Sequence, residues 1–258
     1  MKKSIKKYQE KEKRMVKEKQ KEKNKIKNYE KKLKSEKIVK REIKIKAVKI
    51  SILITIIFLV IIYFLLKTVY DLGDFTISLD PQLELKSGLV MYESIQTKEN
   101  KQILKADKLE FMDNISINWL PNNINNEKDG GHNGDNYIAY TFYVENQGSD
   151  TINYWYNIHI DDVIKNVDSA IRVMIYRNDE KKIYAKINSR TNNPEEGTTP
   201  FYSDEEVLME QRSNFNPGNI DKFTVVVWLE GDDPDCIDAI IGGEMKMTME
   251  ITEEHIKR

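Results

Sequence analysis

The side chains able to do chemistry are few. Histidine occurs three times, as His132, His159 and His255. None has the close spacing to another histidine or to cysteine that a zinc site uses. His159 alternates with Trp155 and Asn157 on one strand face, which predicts a solvated or hydrogen-bonded imidazole. Cys236 is the single cysteine, so no intramolecular disulfide can form. Its acidic neighbours Asp233, Asp235 and Asp238 disfavour the thiolate that a nucleophile needs. No catalytic residue is assigned, and an enzyme is not expected. Asp232, Asp233 and Asp235 crowd with Glu230 and Asp238, and two readings stay open. One is calcium, which takes several oxygens, although the spacing is not that of a twelve-residue calcium loop. The other is a helix N-terminus, where the dipole favours carboxylates. The segment Asp129-Gly-Gly-His-Asn-Gly-Asp135 reads as a flexible turn, with ion binding as its alternative.

The elements that position these groups are mostly strands. Phe75-Thr-Ile-Ser-Leu79 alternates and stops at Asp80-Pro81. Ile152, Tyr154, Tyr156, Ile158 and Ile160 fall on one face of an alternating run. With Tyr137–Glu145 that run predicts a hairpin through Asn146-Gln-Gly-Ser-Asp150. Trp155, on the other face, either packs in a strand pair or presents to a glycan. Ile171–Tyr176 and Lys182–Lys186 predict a second hairpin. Phe223–Leu229 is apolar on both faces, which predicts a central strand. Met245, Met247, Met249 and Ile251 predict a half-buried one. Short helices are expected over 161–167 and over 233–241, the latter with Asp233 as cap and Pro234 at the first helical position. Residues 121–136 read as a long exposed loop. Many short strands with turn signals predict a mainly β, antiparallel sandwich.

The formal net charge of -1 hides two opposite halves. Residues 1–49 carry 22 Lys+Arg and 7 Asp+Glu, a net of +15 (22 minus 7). Residues 68–258 carry 18 and 35, a net of -17 (18 minus 35). Between them Ile50–Leu66 is an uncharged run of 17 residues, bracketed by Lys49 and Lys67. As a helix it is about 25 Å long, near the lower limit for a hydrocarbon core of about 30 Å. The flanking lysines can snorkel. Basic residues crowd the N-terminal side (Lys40, Arg41, Lys44, Lys46, Lys49), which predicts a cytoplasmic N-terminus. The long flank and the absence of a small-residue cleavage site after Leu66 predict an uncleaved anchor. The tail is Lys-rich and helical or disordered. Ile26, Tyr29 and Leu33 keep coiled-coil-like spacing only briefly. Anionic lipid is its expected partner, at about 1 kcal/mol per basic residue near the surface. No nucleic-acid motif and no small-molecule substrate is read.

Three pieces carry a resemblance: Ile138-Ala-Tyr-Thr-Phe-Tyr-Val-Glu-Asn-Gln-Gly-Ser149, Phe215-Asn-Pro-Gly through Gly231, and Asp232-Asp-Pro-Asp-Cys-Ile-Asp-Ala-Ile-Ile-Gly-Gly-Glu244. Residues 137–251 thereby resemble the TasA/camelysin-like surface proteins of Gram-positive bacteria. The resemblance implies a jelly-roll sandwich and a role in extracellular matrix or at the cell surface. Some members pass an N-terminal strand to a neighbour, and Phe75, Ile77 and Leu79 would be the donor strand here. Members usually start with a short cleaved signal, unlike this basic tail. Some have been described as metalloproteases, but no His-Glu-x-x-His occurs in this chain.

The expected organisation is therefore a basic cytoplasmic tail (1–46), a transmembrane helix (47–69) and an extracytoplasmic β-sandwich (70–258). The expected function is a membrane-anchored structural or interaction module in matrix assembly or adhesion, with self-association or other surface proteins as partners. The alternative is a ligand-binding or sensing domain for glycan or cell wall, coupled to the tail. No cofactor is expected unless the acidic cluster holds calcium.

Overall fold

The computed structural model describes residues 2–70 and 75–252; for residues 2–14, 16 and 65–70 it describes the backbone alone. His255 lies outside the described residues. The chain divides into two compact units, Met1–Val69 and Tyr70–Arg258.

The first unit is one helix, α1 (Lys2–Tyr70). Its sequence contains neither glycine nor proline, and lysine, glutamate and leucine favour helix. The tail is therefore helical and runs without a break into the apolar run. That helix is long and apolar enough to cross a membrane, and none of its apolar window is buried by protein. The Thr55 hydroxyl, a polar group inside that run, donates back to the Ser51 carbonyl at 3.0 Å. This satisfies it within the helix, as a span requires.

The second unit is mainly β: β1 (Phe75–Leu79), α2 (Pro81–Ser87), β2 (Leu89–Tyr92), β3 (Ile103–Lys105), β4 (Gly130–Gly131), β5 (Tyr137–Asn146), β6 (Ile152–Ile164), β7 (Ile171–Arg177), β8 (Glu180–Ala185), β9 (Thr199–Pro200), β10 (Glu206–Phe215), β11 (Ile220–Leu229) and β12 (Glu244–Thr252). They form two sheets. One has the order β10-β6-β12-β1-β3; the other runs β2-β5-β11-β7-β8-β9, with β4 also on β5.

The sheets are mixed, which corrects the expectation of antiparallel pairing alone. β1 lies parallel to β12, with Phe75 opposite Met247 and Leu79 opposite Ile251, and β8 lies parallel to β9. Two neighbours hold β1 in its own sheet, since β3 pairs with its other edge. Phe75, Ile77 and Leu79 are buried there.

One hydrophobic cluster draws side chains from both sheets: Ile77, Tyr156, Ile158 and Met249 from the first, Phe142, Val173, Phe223 and Val225 from the second. The Phe223 ring stacks on Phe142 at 5.3 Å and meets Tyr156 edge-on at 5.2 Å. Each such large apolar side chain contributes about 1.5–3 kcal/mol when fully buried. The alternation read for β12 and β6 matches this burial. β11 is central, between β5 and β7. Its second apolar face, Val226 and Trp228, packs with Ile115, Leu120 and Ile124. Residues 115–124 thus cover the outside of that sheet, which is why β11 is apolar on both sides.

Four local expectations change. β5 and β6 are not a hairpin; they belong to different sheets. Asn146 builds the corner between them: its amide nitrogen donates to Asp150 O at 2.9 Å and Phe215 O at 2.8 Å, and its oxygen accepts from Gly148 N at 2.9 Å. Residues 161–164 continue β6 instead of starting a helix, because Val163 and Ile164 pair with Met245 and Glu244. Only a single 3-10 turn, Val167–Ser169, follows. Residues 233–241 contain no α-helix, only a 3-10 turn at Asp238–Ile240. The 121–136 loop is partly folded in, with a turn at Ile124–Asn126, strand β4 and a buried His132. The hairpin of β7 and β8 forms as expected, around Asn178 at φ 56°, a left-handed turn position that asparagine tolerates.

Candidate functional site

The residues singled out for chemistry are dispersed, and protein partners occupy most of them. His132 is buried, with its ring nitrogens 2.9 Å from Gly130 O and 3.1 Å from Ile124 O. His159 Nδ1 lies 3.1 Å from Glu206 Oε1, the hydrogen-bonded role expected of it. Trp155 is half-buried on β6, opposite Gln211 of β10 and Thr252 of β12.

The acidic cluster is taken apart by its surroundings. Arg172 on β7 reaches Asp233 across 61 residues of sequence and forms a buried ion pair with it. Asp233 Oδ1 also accepts from Asp235 N at 2.7 Å. That bond is the one an N-cap carboxylate makes, but no α-helix follows it. Asp235 accepts from Ser189 N at 2.9 Å and Ser189 Oγ at 2.6 Å, and those bonds hold its carboxyl below the ordinary range. Glu230 accepts from Trp228 Nε1 at 3.0 Å and Ile117 N at 3.1 Å. Asp232 is exposed. The carboxylates thus staple the 230–237 turn to three separate segments. Among the described residues no group of three or more His, Cys, Asp or Glu is arranged for a metal.

Sequence reasoning missed two carboxylates that each take three side-chain hydrogen bonds. Glu210 of β10 accepts from Tyr156 Oη, Tyr184 Oη and Lys182 Nζ, each at 2.6 Å. Burial works against the charged carboxylate, but the bonds from Lys182, Tyr156 and Tyr184 prevail and its pKa is lowered. Asp221 of β11 accepts from Tyr154 Oη at 2.6 Å, Arg212 Nε at 3.0 Å and Asn178 Nδ2 at 2.9 Å. Burial and the adjacent carboxylates push the Tyr154, Tyr156 and Tyr184 phenols up. Tyr154 and Tyr184 therefore act as fixed donors that tie one sheet to the other, while Tyr156 ties β6 to its neighbour β10 within one sheet. The only sequence signal was the tyrosines' place on inward faces.

What the structure adds is a cavity of about 370 Å³. Ile138 of β5, Val227 and Leu229 of β11, Ile171 of β7 and Met245 and Met247 of β12 form its walls. Residues Lys108–Asn114 and the turn Cys236–Gly243 border it. Cys236 lines it, with Asn114 Nδ2 3.6 Å from its sulfur. Burial raises the Cys236 thiol above its ordinary pKa, and no histidine lines the cavity. The strand walls are apolar, which suits the space to holding an apolar group.

Comparison with known proteins adds little. No protein-family model matches the sequence, and no curated relative does. Among solved structures, 62% of the chain is similar to 15% of a beta-glucosidase from Kluyveromyces marxianus in complex with glucose, at 12% identity and a TM-score of 0.21. A likeness that slight carries no argument about fold or activity.

Proposed function

We propose that this protein is a single-pass, membrane-tethered surface module with a non-catalytic β-sandwich domain outside the cell. The observation that carries the reading is the uncharged run Ile50–Leu66. It is helical, its described side chains up to Phe64 are unburied by protein, and it is joined to a separate, self-contained β unit. Lysine and arginine crowding before that run set the N-terminus inside. The basic flank 1–49, at +15 (22 minus 7), then faces an anionic leaflet and binds it electrostatically. The resemblance to TasA/camelysin-like proteins supports a jelly-roll arrangement and a part in matrix assembly or adhesion. Self-association or binding of other surface proteins follows from that part.

The cavity favours a second reading, an extracytoplasmic ligand-binding or sensing domain. Pockets of about 300–1,000 Å³ with mostly apolar walls are the usual form of small-molecule sites.

Both readings require the β unit outside. A variant with Ser213→Cys and Cys236→Ser carries one thiol at an exposed position. In intact cells a membrane-impermeant maleimide labels it; labelling only after lysis would sink both readings. Imaging of the protein in reconstituted membranes at rising density separates them. Ordered clusters or fibres favour the structural module, and dispersed monomers favour the binding domain.

A further inference from the structure

Natural interiors are close-packed, with few voids larger than a water molecule. The space of about 370 Å³ walled by Ile138, Ile171, Val227 and Met247 is not such a void but a cleft open at its border, far larger than a water molecule. An apolar cavity of roughly 150 Å³ stays dry and takes a benzene ring. By that measure this one has room for an alkyl chain of roughly a dozen carbons. Its border continues the apolar surface outward. Phe111 is 72% exposed, Ile241 65% and Ile237 49%, and all three belong to the lining. Large apolar side chains left in water around an apolar cavity mark an entrance.

The charged groups at that border say what the other end of the ligand is. Glu110, Asp113, Asp238 and Glu244 line it against Lys108 alone. Lys165 lies close by, donating to Ile241 O at 2.7 Å. The balance stays negative, so an anionic head group is repelled. The same chain carries a helix apolar enough to cross a bilayer, so acyl chains are the apolar molecules it meets at the highest local concentration.

We propose that this cavity binds a single acyl chain carrying a neutral polar end, as in a monoacylglycerol, and excludes the corresponding fatty-acid anion. The inference rests on the ligand-binding half of the second reading above and not on its extracytoplasmic placement. It does not depend on which side of the membrane the domain occupies, so an inverted topology would remove the surface reading and leave this one standing.

Cys236 provides the test, because it lines the cavity and is the only cysteine. The full-length protein is placed in phospholipid nanodiscs and alkylated with a maleimide while 1-monolauroylglycerol is titrated. By mass action, ligand at ten times its Kd slows labelling roughly ten-fold. Laurate at the same concentration leaves the rate near its starting value. Phe111→Asp, at an exposed border position, weakens the protection several-fold without touching the core. A control thiol at Ser213→Cys, in a Cys236→Ser background, shows none. Equilibrium dialysis of radiolabelled 1-monolauroylglycerol gives one molecule per chain above empty nanodiscs. No saturable protection together with no excess binding would overturn the proposal. Equal protection of the control thiol, or protection unchanged by Phe111→Asp, would place the amphiphile elsewhere and overturn it too. Protection by laurate equal to that by the glyceride would overturn the neutral-end assignment.

Discussion

Arg172 and Asp233 have side chains 5% and 0% exposed, so neither charge is repaired by water if the other is lost. Removing one partner of such a pair costs about 3–5 kcal/mol. Arg172→Ala therefore destabilises the β unit by about that much, read from its denaturant midpoint. Arg172→Met combined with Asp233→Asn recovers part of the loss, because the charge pair is replaced and not broken and the amide oxygen still accepts from Asp235 N. A single mutant with an unchanged midpoint would show that the pair does not hold the turn. Acid acts on the same class of group. The carboxyls of Glu210, Glu93 and Asp235 all have lowered pKa values in the folded protein: for Glu93 because Tyr140 donates to it, for Asp235 because Ser189 does, and for Glu210 because three donors outweigh burial. The unfolded chain then binds more protons, so stability is full above the ordinary carboxylate values of 4.5 and 3.8 and falls as pH drops through the lowered ones. The thermal midpoint should fall steeply below about pH 4.5, and Glu210→Gln should flatten that fall. The crowding of Asp232, Asp233 and Asp235 was visible in the sequence. Their use was not, because the partners Arg172 and Ser189 lie 61 and 46 residues away, and only the folded sheets bring them together.

At the scale of elements, the periodicity of two was reliable wherever one face is buried, as in β6 and β12, because alternation is itself the record of that burial. It says nothing of which strand pairs with which. The Asn146–Asp150 turn signals predicted a hairpin, yet the chain there passes from one sheet to the other. Its residues suit a corner: a Cβ on Gly148 would sit 2.0 Å from Ser87 O, and Asn146 is fully buried with three hydrogen bonds. Asn146→Ala leaves two carbonyls and one amide short of a partner. At about 1–3 kcal/mol for each unsatisfied buried group, the expected cost exceeds that of an ordinary surface substitution several-fold. Unfolding in urea measures it, and a cost below about 0.5 kcal/mol would mean that the corner holds without its asparagine. Helix α2 was overlooked although its signals are in the sequence: Asp80 caps Gln82 N at 2.9 Å, Pro81 follows, and Gly88 closes the helix at φ 69°. The cavity left no sequence signal, since its walls read as ordinary strand interior and its border as loop.

For the whole molecule, the proposed orientation rests on the distribution of charge about Ile50–Leu66. Topology responds to lysine and arginine within about 15–20 residues of a span's ends and only weakly to acidic residues. On the N-terminal side these are Lys31, Lys32, Lys34, Lys37, Lys40, Arg41, Lys44, Lys46 and Lys49; on the C-terminal side they are Lys67 and Lys86. A variant lacking residues 2–46 keeps Lys49 alone against those two, so the bias is not merely weakened but reversed. The apolar run is untouched, and insertion persists because it depends on that run. The expected outcome is a membrane-bound protein with a large inverted fraction. In the background with Ser213→Cys and Cys236→Ser, that fraction is labelled by an impermeant maleimide only after permeabilisation. Restoring Lys40, Arg41, Lys44 and Lys46 directly before Ala47 returns the β unit to the outside. If the truncated protein were labelled as completely in intact cells as the full chain, the tail would not set orientation. Its charge would then be there for the lipid surface alone.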